Sequence, residues 1–137
     1  TWEQVIFSHR VPDLVGLTLR LREEQRFRVA APDVGHRVRI LARSAFDVLG
    51  GFGWSLWDEA FVGFNGTEWG NVLGFDQNFA FTGPAWDSHK GFRVEAGYLN
   101  LLVHRTPTED DPSAVSVNHV VAVNVLLTLG VKDKKGV

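Results

Sequence analysis

The run Leu17-Thr18-Leu19-Arg20-Leu21-Arg22 decides the fold class. Leucine takes every odd position and a polar residue every even one. That period of two places successive side chains on opposite faces of an extended strand. The same period recurs along the chain. Phe27 and Val29 share a side in Arg26–Ala30, and Val38, Ile40 and Ala42 share one in Arg37–Ala42. Phe92–Ala96 and Tyr98–Val103 alternate on either side of Gly97, and Val115–His119 follows. The longest run is the last: Val121, Val123, Val125, Leu127, Leu129 and Val131. Apolar spacing of three and four is absent and β-branched residues abound, so strands are predicted and helices are not. Roughly ten short strands with turn signals between them predict a two-sheet antiparallel β-sandwich. Leu19, Phe27, Ile40, Phe79, Val94, Leu101 and Val125 would then lie between the sheets. At 137 residues the chain reads as one domain over 1–137.

Within FVGFNGTEWGNVLGFDQNFAF, Phe61 to Phe81, the Asn65-Gly66 pair predicts a type I′ hairpin turn. Trp69 follows close to that tip, as a core residue or as a stacking platform for a flat ligand face. Val48–Asp58 reads as a Gly-rich loop whose Trp54 and Trp57 are lid or satellite core. The terminal Lys-Asp-Lys-Lys-Gly-Val, 132–137, reads as a frayed polar tail.

Composition bounds the function classes. With 45% hydrophobic and 22% charged residues the chain is ordinary for a globular protein. It has no cysteine, hence no disulfide framework and no thiolate nucleophile or ligand. No apolar run approaches a membrane span, so none is expected. No signal-peptide pattern opens it, and the compartment stays open, cytoplasmic or secreted without a recognisable signal. A net charge of −2 argues against nucleic acid.

Catalysis finds little support. His9, His36, His89, His104 and His119 lack metal-ligand spacing. Asp58-Glu59 and Glu68 could form a carboxylate pair, but adjacent strand residues face opposite ways, so only one of the first two could join Glu68. Ser8-His9 and Ser88-His89 lack an orienting acid. No Gly-rich run opens a helix to cradle phosphate. The chain is therefore read as a non-enzyme with no cofactor, no metal site and no catalytic residues. Asn65-Gly66-Thr67 is a glycosylation sequon, meaningful only on the secretory route.

The arginines are concentrated. Arg20, Arg22, Arg26, Arg28, Arg37, Arg39 and Arg43 fall within one early segment and alternate with its apolar residues. On a sandwich they would point away from the core. Such a face could be solvated, with cross-strand partners such as Glu23, Glu24 and Asp33. It could also bind carboxylate, sulfate or phosphate.

The order of these features resembles a galectin-type carbohydrate-recognition domain. The likeness is carried by Val11–Leu19, by Arg26-Phe27-Arg28-Val29, and by Glu68-Trp69-Gly70 followed by Asn78-Phe79-Ala80-Phe81. Phe92-Arg93-Val94, Tyr98, His104-Arg105 and the closing Val117–Leu129 run continue it. The resemblance implies a galectin-like jelly roll and sugar binding. The family's His-x-Asn-Pro-Arg strand is not matched, since Leu41, Arg43, Ser44 and Ala45 stand there. The next strand's asparagine falls at Phe64 or Asn65, and the Glu and Arg expected after the tryptophan fall at Val72 and Gly74. Only Trp69 matches residue for residue. The implied ligand site is therefore a rebuilt one, made of Trp69, Arg39, Arg43, Asn65 and Asn71. Guanidiniums only donate, so it would favour acidic or sulfated galactosides over neutral ones. The leading expectation is a lectin of altered specificity with a glycan or glycoprotein ligand. The alternatives are a module of the same fold working by protein–protein contact and an all-β viral or structural component. The apolar last strand, left at an edge, would invite a homodimer.

Overall fold

The structure, a computed structural model, describes residues 1–11, 14–88, 91–104 and 115–127. It consists of strands β1 (Trp2–Val11), β2 (Val15–Phe27), β3 (Val34–Leu49), β4 (Phe52–Gly63), β5 (Gly74–Asp87), β6 (Phe92–His104) and β7 (Val115–Leu127). No helix occurs among the described residues. The all-β expectation holds. Runs read as separate short strands prove continuous: Leu17–Arg22 runs on to Phe27 in β2, and the two runs around Gly97 are halves of β6. The tail at 132–137 lies outside the described residues.

The arrangement is not the expected pair of sheets. All seven strands form one sheet in the order β1-β2-β3-β4-β5-β6-β7. Each strand pairs antiparallel with the next. Alternation reveals which residues share a face, but not whether a second layer covers that face. Leu19, Phe27, Ile40, Val94 and Val125, expected between two sheets, share one face of this single sheet, and Leu19 is 46% and Val125 57% exposed there. Phe79 and Leu101, paired directly across β5 and β6, lie on the other face.

That other face is concave. Arg20 of β2 reaches Glu59 of β4, Arg37 of β3 reaches Asp76 of β5, and Arg43 of β3 reaches Glu95 of β6. Side chains from strands two and three places apart meet only if the sheet curls around them. Phe61, Phe81 and Ala85 are its buried hydrophobic residues, with Trp57 stacked on Phe81 at a ring separation of 5.4 Å.

Two backbone features shape the curl. Gly50 and Gly51 both have positive φ, 61° and 83°, and connect β3 to β4 in a two-residue turn of the type I′ kind. The stretch read as a Gly-rich lid is thus a tight turn followed at once by β4, with Trp54 on the convex face and Trp57 on the concave one. Asn65-Gly66 makes no such turn, since neither residue has positive φ. Asn65 instead stitches β3: its Oδ1 accepts from the His36 N–H at 2.8 Å and its Nδ2 donates to the Val34 carbonyl at 2.7 Å. Farther on, Gly83 and Gly97 bring β5 and β6 into close approach. A Cβ on either would fall 2.2 Å from a carbonyl oxygen of the facing strand.

Candidate functional site

The concave face gathers the arginines. Thr18, Arg20, Arg22, Glu24 and Arg26 of β2 alternate onto it. So do Arg37, Arg39 and Arg43 of β3, and register places Glu59 of β4 opposite Leu41 in the same row. The arginines expected to point into solvent therefore line the sheltered side, because the apolar set with which they alternate is the one left uncovered.

They are held by a lattice of carboxylates. Glu59, 6% exposed, accepts from Arg20 at 2.7 Å and bidentately from Arg39 at 3.0 and 2.9 Å. Glu24 accepts from Arg39 at 2.9 Å and from Arg37 at 2.6 and 3.2 Å. Arg37 also lies 3.6 Å from Asp76. Both Arg37 and Arg39 sit over the Phe61 ring, 5.0 and 4.7 Å from its centroid. A second node is Glu95, fully buried, which takes Arg43 across the curl and Arg93 beside it at 3.0 Å. Charges withdrawn from water persist only when paired, and each of these has an opposite charge in contact, although Glu95 Oε2, Arg20 Nε and Arg93 Nη2 are buried without a hydrogen-bond partner among the described residues. Between the two nodes lies a cavity of about 400 Å³ walled by Arg20, Arg43, Trp57, Glu59, Glu95 and Asn124.

The expected ligand residues fall in two places. Arg39 and Arg43 belong to the lattice. Trp69, Asn65 and Asn71 sit in the ten-residue connection between β4 and β5, beyond the start of β3. Trp69 donates its indole N–H to the Asp33 carbonyl at 3.1 Å and lies under the Arg26 guanidinium, 5.4 Å from its ring centroid. Asn71, 4% exposed, donates to the Asn65 carbonyl at 2.6 Å and accepts from Arg26 at 3.4 Å. The Trp69 ring edge rests against Gly35, where a Cβ would fall 2.9 Å away. At about 3.3 Å per residue, Arg39 stands roughly 13 Å and Arg43 roughly 26 Å along β3 from that glycine. Of the carboxylates weighed for catalysis, Asp58 faces the convex side and Glu59 the concave one. Among the described residues no cluster of His, Asp and Glu could hold a metal ion.

Sequence reading missed Glu59, Glu95 and Asp76 as partners of the arginines. The available signal was Glu24, two positions from both Arg22 and Arg26 and therefore on their face. Glu95 carries the same mark toward Arg93, two positions before it, but nothing local points to its other partner, Arg43, three strands away.

The convex face is the reverse. Leu17, Leu19, Leu21, Ile40, Phe46, Phe52, Trp54, Leu56, Trp86, Val121, Val123 and Leu127 stand exposed on it, with Val121 at 86%.

The chain is 35% identical over 116 residues to an uncharacterized protein of Methylorubrum extorquens (strain AM1), an alignment covering 82% of this chain and 49% of that protein. It thus spans about half the length of the curated relative it matches. No solved structure matches it significantly. The family model described as "Protein of unknown function (DUF2490)" matches residues 1–111, and the chain belongs to that family.

Proposed function

We infer that this sheet is a wall of a membrane-embedded β-barrel, with its convex face toward lipid and its charged concave face toward an aqueous interior. The observation that carries this reading is the inverted burial. Large apolar side chains stand exposed on one face while carboxylates at 0 and 6% exposure lie on the other. A water-soluble sheet does the opposite, and alternation of apolar-out with polar-in is what a lipid-facing strand requires. Four further features agree. On β3 the convex residues Val38, Ile40, Ala42, Ser44, Phe46 and Val48 span about 33 Å, or about 25 Å along the normal at a tilt near 40°. Phe46, Phe52, Trp54, Trp86 and Phe92 form an aromatic belt near one end of the strands. The connections at that end are short, three, two and four residues, while those at the other are six, ten and ten. Asp58, a carboxylate within the apolar band, is held by two contacts to the Asn78 amide at 2.9 and 3.0 Å.

No described helix is long and apolar enough to cross a membrane, which speaks to helices and leaves strands untouched. The expectation of no membrane span rested on helical runs alone. The seven described strands make a wall rather than a closed barrel. With an odd number of antiparallel strands, β1 and β7 run in the same direction, so antiparallel closure takes an odd number of further strands. The glycan reading expected from sequence would rest on a different part of the molecule, the loops around Trp69.

Single-tryptophan variants refolded into vesicles containing brominated lipid test this reading. Trp54 and Trp86 should be strongly quenched and Trp57 protected. A chain that stays folded and monomeric without lipid or detergent, with all three quenched alike, overturns it.

A further inference from the structure

Nine arginines lie among the described residues, and seven of them, Arg10, Arg20, Arg22, Arg37, Arg39, Arg43 and Arg93, have a carboxylate within 4.0 Å. Arg26 and Arg28 have none among the described residues. Both stand at the long-connection end of the sheet, and both are turned on Trp69. Arg26 stacks over the indole, and Arg28 reaches the Trp69 carbonyl at 3.5 Å. Beside them is a cavity of about 320 Å³ walled by Arg28, Ala30, Asp33, Glu68 and Trp69. Its volume lies at the lower end for small-ligand sites. Ala30 holds φ at 64°, the one described non-glycine residue in the left-handed region. A residue with a Cβ is kept there only when its surroundings enforce it, and such positions concentrate at binding sites.

We propose that this mouth binds an acidic sugar unit, a uronate or sulfated pyranose. The chemistry is complementary group by group. The indole offers a flat apolar surface to the C–H face of a ring. Arg28 offers a forked donor to a carboxylate or sulfate, and Arg26 adds positive charge behind the indole. The Asp33 and Glu68 carboxylates accept from ring hydroxyls, which a bare inorganic anion cannot supply. A neutral sugar leaves Arg28 unanswered, and an inorganic anion leaves the indole and both carboxylates unanswered. The site belongs to the loops and stands independently of the membrane reading.

Titration calorimetry on the full chain, in whichever micelle or buffer keeps it folded, tests the proposal. The probes are a singly sulfated disaccharide, lactose and inorganic sulfate. The sulfated disaccharide should bind at least about tenfold more tightly than either comparison, the scale of one charge-assisted bidentate contact. It should also weaken as salt is raised. Arg28→Ala, at an exposed position, should cost about tenfold for the sulfated probe and leave lactose unchanged. Trp69→Phe keeps an aromatic face while losing the bond to Asp33, and should retain most of the binding, whereas Trp69→Ala should abolish it. Sulfate binding as tightly as the disaccharide, or an Arg28→Ala variant that binds like the parent, overturns the proposal.

Discussion

Arg20 and Leu21 are neighbours in β2 and meet opposite surroundings. Arg20 turns to the concave side, where Glu59 at 2.7 Å takes its charge. Leu21 turns to the convex side and is 47% exposed, as are many of the apolar residues around it to a similar degree. The two faces of one strand thus divide polar from apolar in the sense opposite to a soluble sheet. The difference teaches that the fold is held by different means on its two sides. The concave side compensates its charges internally, by partners on adjacent strands and on strands two and three places away. The convex side is complete only with a cover, because an exposed apolar surface of this extent marks a site of interaction.

The sharpest way to break that contrast is to remove one carboxylate from the concave side. Glu59→Ala leaves the half-buried Arg20 without its carboxylate and Arg39 with Glu24 alone, and should cost about 3–5 kcal/mol of stability, read from urea unfolding in micelles. An unchanged midpoint would mean that water reaches this lattice freely. The matching change on the other side is Leu19→Arg. In a bilayer a guanidinium on the lipid face should cost about 2–4 kcal/mol at mid-depth, while in detergent-free buffer the same change should be neutral or raise solubility. Equal effects in the two media would erase the distinction between the faces. A smaller effect is expected where β5 and β6 pinch together. Gly97→Ala sets a methyl against the Thr82 carbonyl and should cost about 1–3 kcal/mol by forcing the strands apart. Loss of only this local pairing, seen as faster amide exchange in β6, would sharpen the view that the glycine pair sets the curl.

How far the residues alone announced this molecule varies by feature. Strand content was open to reading, since a period of two is local and survives any packing. The row Arg20, Arg22, Glu24 and Arg26 was equally visible as a set sharing one face. The tight turn was misplaced. Asn65-Gly66 has the stronger hairpin signature, but the Asn65 amide finds better partners on Val34 and His36 than a turn would provide. The Gly50-Gly51 pair turns the chain instead, having no side chain to compete. The five expected ligand residues were split, because Arg39 and Arg43 sit far along β3 from the loop that carries Trp69.

By itself the sequence determined that the chain is built of strands, which side chains stand together on each face, and that arginines alternate with leucines. These are consequences of backbone geometry between neighbours. Only the tertiary structure decided that the strands form one curled sheet rather than two stacked ones. It alone brought Arg43 to Glu95 across three strands and left Arg26 and Arg28 around Trp69 without carboxylate partners among the described residues. Alternation is symmetric between a sheet's two faces, and the direction of curl, a property of the whole sheet, settles which of them is sheltered.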